Sequence, residues 1–227
     1  MLTFNGSALR VNGGTLDYVQ PSPPPTTVVI GGKTYPTVIM PDGNEWLAVN
    51  LDYAWTGLSV PTSGASRSSD PQAVYYYYNE STYGWNGYKC GLLYNWAAVD
   101  YLEQHKATLC PGWHVPTDAE WQALATAVGG YSDAGSALKA SDYSIQGMWP
   151  YDWGGQDTYG FAVLPAGRFN NYFEGNDDSA FLWTVGGTEY LKFYVSFSAS
   201  TAALSFSSTR IQTSAYQLSV RLVKDAQ

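Results

Sequence analysis

Cys110-Pro111-Gly112-Trp113-His114-Val115-Pro116-Thr117-Asp118-Ala119-Glu120-Trp121 sets down a turn, a helix start and a core aromatic in one short run. Pro111-Gly112 is a turn dipeptide, and Pro116 stops any element before Thr117. Thr117 with Glu120 three residues on is a capping box, in which hydroxyl and carboxylate satisfy each other's backbone amides. Trp121, Leu124, Ala125 and Val128 then recur at helical spacing, and Gly129-Gly130 ends the run. A second short helix is expected over Ser136–Ser141.

Strand signals surround this helix. Thr26–Ile30, Tyr35–Met40 and Glu45–Leu51 are extended runs separated by Gly31-Gly32-Lys33 and Pro41-Asp42-Gly43-Asn44, a meander. Residues 61–71 are polar and Ser/Pro/Gly-rich, hence an exposed loop, and Met148–Gly160 is an aromatic, Gly-rich excursion. Phe161–Arg168 returns to buried, extended chain. Val195, Phe197 and Ala199 alternate with Tyr194, Ser196 and Ser198, whereas Leu204 and Phe206 run in the opposite phase. A turn near Ser200–Ala203 follows from that switch. Tyr216, Leu218, Val220 and Leu222 make a final strand. The expected class is α+β: an irregular antiparallel sheet, one or two helices and long loops.

Composition narrows the function. Aromatics reach 16% and charged residues only 13% of the 227 residues, which suits a loop-rich domain packed on rings and also a recognition surface. The net charge is −8 with no basic run, which argues against nucleic acid as a partner. No window approaches the ~18 apolar residues of a spanning helix, so membrane insertion is not expected. Met1–Ser7 has neither the basic nor the apolar region of a secretory signal. Residues 1–20 are too short for a core of their own and precede Pro21-Ser22-Pro23-Pro24-Pro25, a stiff spacer. This divides the chain into an attachment or oligomerisation segment (1–20), a spacer (21–25) and a main domain (26–227).

Three ordered groups of residues carry a resemblance. They are Gly32-Lys33-Thr34-Tyr35 through Trp46 and Asn50-Leu51, then Gly91–Ala98 with Cys110–Trp121, and finally Leu164–Arg168, Leu182-Trp183 and Ser219-Val220-Arg221. Together they resemble the Fibrobacter succinogenes major paralogous domain over about residues 26–225. The resemblance implies a C-type-lectin-like fold, shared with the formylglycine-generating enzymes. Those oxidases hold copper with late cysteines, and this chain has none after Cys110, so no enzyme, cofactor or metal is expected. Members of the family often carry Cys where Leu222 stands, which leaves Cys110 without that partner. Cys90 and Cys110 are either a disulfide or two small buried hydrophobes. His114 is read as a hydrogen-bonding residue that holds the loop before the helix. Glu174–Asp178 offers oxygen ligands in principle, but an acidic turn is the preferred reading.

Between Trp183 and Gln217 the composition shifts to Ser, Thr, Ala, Phe, Tyr and Val, without Asn, Asp or Pro. In C-type-lectin-like proteins the late region forms much of the binding face. In some phage and bacterial members it is rewritten by diversity-generating retroelements, which alter template adenines and turn Asn codons into these residue types. The expected ligand-binding set is Thr184, Tyr190, Phe193, Tyr194, Phe206, Ser208, Thr209, Ile211, Thr213, Ser214 and Tyr216: aromatics as anchors, hydroxyls as adaptable bonding groups. The corresponding expectation is a receptor-binding adhesin at a phage tail-fibre tip. It would bind a host-surface protein or glycan, form a homo-oligomer (a trimer by preference) and contact other tail components in the virion. A bacterial cell-surface or extracellular binding domain is the alternative, and an enzyme related to the formylglycine oxidases the weaker one.

Overall fold

A computed structural model describes residues 2–4, 7–12, 15–18, 26–60, 71, 73–75, 90–141, 149, 155–170, 172–176, 178–188, 191–210 and 216–225. The spacer at 21–25, most of the 61–71 loop, residues 150–154, and Tyr190, Ile211, Thr213 and Ser214 from the expected binding set lie outside them. So does Asp177 of the acidic turn.

The described chain is mostly β with some helix, in keeping with an α+β class. Strands β1 (Leu2–Phe4), β2 (Ser7–Asn12) and β3 (Thr15–Tyr18) form a three-stranded sheet of their own. Leu2 pairs with Leu9, Leu9 with Tyr18 and Val11 with Leu16, so these positions share one face of the sheet.

The expected meander is present as β4 (Thr26–Ile30), β5 (Lys33–Ile39) and β6 (Glu45–Leu47). It is extended by β16 (Val223–Lys224) and β9 (Trp113–His114) into a five-stranded sheet. A larger mixed sheet holds β7 (Ala73–Tyr75), β8 (Leu92–Asn95), β10 (Ala166–Phe169), β11 (Phe173–Asn176), β12 (Ser179–Trp183), β13 (Leu191–Ser198), β14 (Leu204–Arg210) and β15 (Gln217–Ser219). Its spatial order along one edge is β14-β13-β12-β10-β15-β8-β7.

Among the described residues four helices flank the sheets: α1 (Trp96–Gln104), α2 (Lys106–Leu109), α3 (Asp118–Ala127) and α4 (Tyr131–Leu138). The capping box on α3 forms as its sequence dictates. Thr117 Oγ1 accepts from the Glu120 amide at 3.2 Å, and Glu120 Oε2 accepts from the Thr117 amide at 2.7 Å. Helix α4 begins five residues before the expected second helix and stops at Leu138. Lys139 is already extended and bridges to Val163, so the Ser136–Ser141 placement is corrected. The first two helices were not anticipated. Asn95 caps α1 by accepting from the Ala98 amide at 2.9 Å, and Ala98, Val99 and Leu102 face the core.

The expected last strand is also corrected. It splits into β15 and β16, which belong to different sheets. Between them the Val220 and Leu222 carbonyls accept from the Leu51 and Leu47 amides at 2.7 and 2.9 Å. Crossing from sheet to sheet here lets Val220, Arg221 and Leu222 all be buried.

Among the described residues two large apolar clusters fill the interior. One gathers Leu47, Leu51, Leu92, Tyr94, Val99, Trp183 and Leu218 beneath α1. The other packs Trp46, Trp121, Leu124, Phe161, Val195 and Phe197 beneath α3 and α4. The Trp46 and Trp121 rings lie 4.9 Å apart, with Phe161 edge-on to both. Neither cysteine is in a disulfide: Cys90 and Cys110 are buried thiols. Cys110 Sγ donates to the Trp113 carbonyl at 3.3 Å, and burial pushes its thiol up to about 12.

Candidate binding face

The β13–β14 hairpin is the element on which the expected binding residues converge, and its register decides where each one faces. Tyr194 pairs with Ser207, Val195 with Phe206 and Phe193 with Ser208. Alternation then sends Lys192, Tyr194, Ser196, Ser205, Ser207 and Thr209 to one face and Phe193, Val195, Phe197, Phe206 and Ser208 to the other. The expected residues therefore do not form one patch.

The second face is the side covered by α4. Val195, Phe197 and Leu204 are buried there, and Phe206 meets the Tyr131 ring edge-on at 5.7 Å. Phe193 is half-buried and Ser208 exposed. The turn of the hairpin is fixed to the same helix. The Ser136 amide donates to the Ala202 carbonyl at 2.9 Å, and Lys139 Nζ donates to the carbonyls of Ser198 and Thr201. Gly135 allows this approach, since a Cβ there would sit 2.4 Å from the Ala203 oxygen.

On the first face Tyr194 is only 7% exposed and Thr209 8%, which corrects their assignment to an exposed surface. Tyr194 is sealed by the edges of Phe181, Trp183 and Tyr216. Thr184 is fully buried, and its hydroxyl donates to Asp118 Oδ1 at the start of α3. Its role is to tie the sheet to the helix. Among the described residues of the expected set, Ser208 is exposed while Phe193, Phe206 and Tyr216 are half-buried.

What reasoning from residue types missed is the group that surrounds Tyr216. Arg168 on β10 has its guanidinium 4.6 Å from the Tyr216 ring centre and 4.8 Å from that of Phe181. Its Nε and Nη2 both reach Glu174 Oε2 at 2.8 Å, a pair set by the direct Arg168–Glu174 register of β10 and β11. Arg168 belongs to the family-like Leu164–Arg168 run and Glu174 to the Glu174–Asp178 run expected as an acidic turn. That expectation is corrected, since Glu174–Asn176 are part of strand β11. Strand pairing, which joins them, has no short-range signature. Tyr172, in the turn between β10 and β11, is 65% exposed. A hydrogen bond to Glu174 raises its hydroxyl above the ordinary tyrosine value. Beside this group Ser196 is half-buried, and Ser205 and Ser207 are exposed. At the opposite end of the same face Lys192 Nζ lies 4.6 Å over the Trp96 ring.

His114 sits away from this face. Its Nδ1 is 2.6 Å from Asp225 Oδ1 and its Nε2 2.9 Å from Glu120 Oε1. It thus ties the C-terminal strand to the capping box, as a residue fixing the loop before the helix should. Among the described residues no three His, Cys, Asp or Glu side chains gather as metal ligands. No helix among them is long and apolar enough to cross a membrane.

The profile of the Fibrobacter succinogenes major domain matches residues 42–224, most of the chain. The chain belongs to that family. No curated protein and no solved structure matches it. Within this Fibrobacter succinogenes major domain, the matched segment contains most of the buried framework and the whole β12–β14 face.

Proposed function

We propose that this domain is a ligand-binding adhesin of C-type-lectin-like fold, presenting the outer face of β12, β13 and β14 to a surface receptor. The observation that carries this reading is the row Ser196, Ser205 and Ser207 beside the Arg168–Tyr216 group. These are small hydroxyl side chains next to rings, on a hairpin whose turn is anchored to α4 and whose neighbouring strand β12 runs into Thr184, tied to the start of α3. Rigid backbone with adaptable side chains is the physical recipe of a paratope.

Rewriting of residues 183–217 by a retroelement fits this division of labour. Its exposed positions are interchangeable without loss of core, whereas Thr184, Tyr194 and Thr209 are constrained by burial. The buried Ser219-Val220-Arg221-Leu222 framework resumes directly afterwards. The N-terminal β1–β3 sheet, followed in sequence by a proline spacer, is the natural attachment or self-association piece, and a trimeric phage tail-fibre tip would multiply weak contacts into avidity. A bacterial cell-surface or secreted binding domain would use the same face.

The test is binding of fluorescent protein to a panel of bacterial cells, with a Ser205→Arg/Ser207→Arg double variant and exchange of residues 183–217 between natural variants. Loss of binding in the double variant and a changed cell preference after exchange are expected. Unaltered binding in both would remove this face from recognition.

A further inference from the structure

A sugar ring offers two surfaces to a protein. Its C–H face is apolar and stacks on aromatic rings, and its rim carries hydroxyls that each donate and accept. The group around Arg168 supplies counterparts to both. Both bonds from Arg168 end on Glu174 Oε2, and Arg168 Nη1 makes none among the described residues. The pair therefore retains N–H donors beside a carboxylate acceptor, with side-chain exposures of 22% and 21%. The ring centres of Phe181 and Tyr216 both lie within 4.8 Å of the guanidinium carbon, so little side-chain freedom remains to be lost on binding. Tyr172, the most exposed large apolar residue among those described, lies two residues before Glu174 in the turn that joins β10 to β11.

Charge selects among sugars. Arg168 and Glu174 cancel, and the chain as a whole carries −8, a field that opposes anionic ligands. Resting on the adhesin reading above, we infer that this site takes a neutral glycan. A ring would stack on Tyr172, and adjacent hydroxyls would be shared between Arg168 and Glu174, with Ser196 and Ser205 at the rim. No calcium ion is required, because protein groups supply both the donor and the acceptor.

The experiment probes a printed array of neutral, sialylated and uronic-acid glycans, with and without EDTA, followed by calorimetric titration of the strongest free oligosaccharide. Thermal melting controls for folding. Selective binding to neutral glycans that survives EDTA is expected, with a loss of tenfold or more in Tyr172→Ala and in Glu174→Gln at unchanged melting temperature. Tyr172 is exposed, so its variant reports on the site even if changes at Arg168 or Glu174 weaken the fold. Binding to acidic glycans only, loss of binding in EDTA, or unchanged affinity in Tyr172→Ala would each overturn the inference. Cell binding lost in the Ser205→Arg/Ser207→Arg variant, with no glycan bound on the array, would also overturn it while leaving the adhesin reading intact.

Discussion

Arg221 Nη2 donates to Asn50 Oδ1 at 3.0 Å, joining residues 171 positions apart in the sequence. Asn50 in turn donates to the Cys90 carbonyl at 2.9 Å and to Ser219 Oγ at 3.3 Å. The early Asn-Leu, the middle Cys-Gly and the late Ser-Val-Arg thus meet in one buried polar knot between the two apolar clusters. Arg221 Nη1 donates to the Phe161 carbonyl, and the guanidinium lies 4.4 Å over the Phe161 ring. Burial pushes Arg221 down to about 9, which still leaves it charged at neutral pH, with Asp157 as the acid whose field supports it.

Removing that cation leaves Asn50 Oδ1 and the Phe161 carbonyl without their donor inside the core. Arg221→Ala is expected to destabilise the domain by about 3–5 kcal/mol, the range for breaking a buried charged network. Arg221→Lys should recover only part of this, since one ammonium cannot reproduce the planar fork. Urea unfolding of the three proteins, followed by tryptophan fluorescence, checks both statements.

Gly91 sits beside the same knot with φ at +84°, and a Cβ there would lie 2.8 Å from both Asn50 Cβ and the Leu51 carbonyl. Two penalties coincide: a left-handed backbone and a contact with main chain that cannot move aside. Gly91→Ala is expected to lower stability by about 1–3 kcal/mol, whereas Gly43→Ala, with open space around its Cβ position, should bear only the conformational penalty. Paired thermal melts separate the steric share from the backbone share.

The two thiols give a chemical test of the core. Cys90 and Cys110 are both buried outside any disulfide, and Cys110 is pushed up to about 12 by burial and the nearby Glu103 charge. A thiol-selective reagent at neutral pH should label neither in the folded protein and both in denaturant without prior reduction. A single equivalent, or none, in denaturant would contradict the thiol assignment.

The parts of this fold readable in sequence are those with short-range causes. The Thr117–Glu120 box, the glycine stop of α3 and the phase switch between Val195 and Leu204 each need only a few neighbours, and each is present as expected. Helix α1 carries an Asn cap and a helical apolar spacing, but Trp96-Ala97-Ala98-Val99 also reads as a continuation of the buried strand β8. The binding face fails for a different reason. Alternation fixes that neighbours in β13 point opposite ways, yet which side is covered depends on α4, Phe181 and Tyr216, which come from elsewhere in the chain. Tyr194 and Thr209 carry the same residue types as an exposed anchor and donor, and only their tertiary neighbours bury them.

His114 supplies the pH dependence. Hydrogen bonding to Glu120, opposed by burial and aided by Asp225, raises its pKa above the ordinary 6.5, because only the doubly protonated ring can donate to both carboxylates at once. A raised folded pKa binds the proton more tightly in the native state, so this stabilisation is complete below the unfolded value. It is lost as pH rises through the folded one. Glu120 runs the other way. Burial alone would raise it, but bonds from His114 and Thr117 hold it below its usual value, so its contribution is lost as pH falls through the folded pKa. The network is strongest between those limits. In His114→Gln the melting temperature should fall most at about pH 5.5, and the gap from the parent protein should narrow as pH rises past neutrality. A gap that stays constant across this range, measured by calorimetry in buffers of equal ionic strength, would mean that His114 acts through packing and not through its charge.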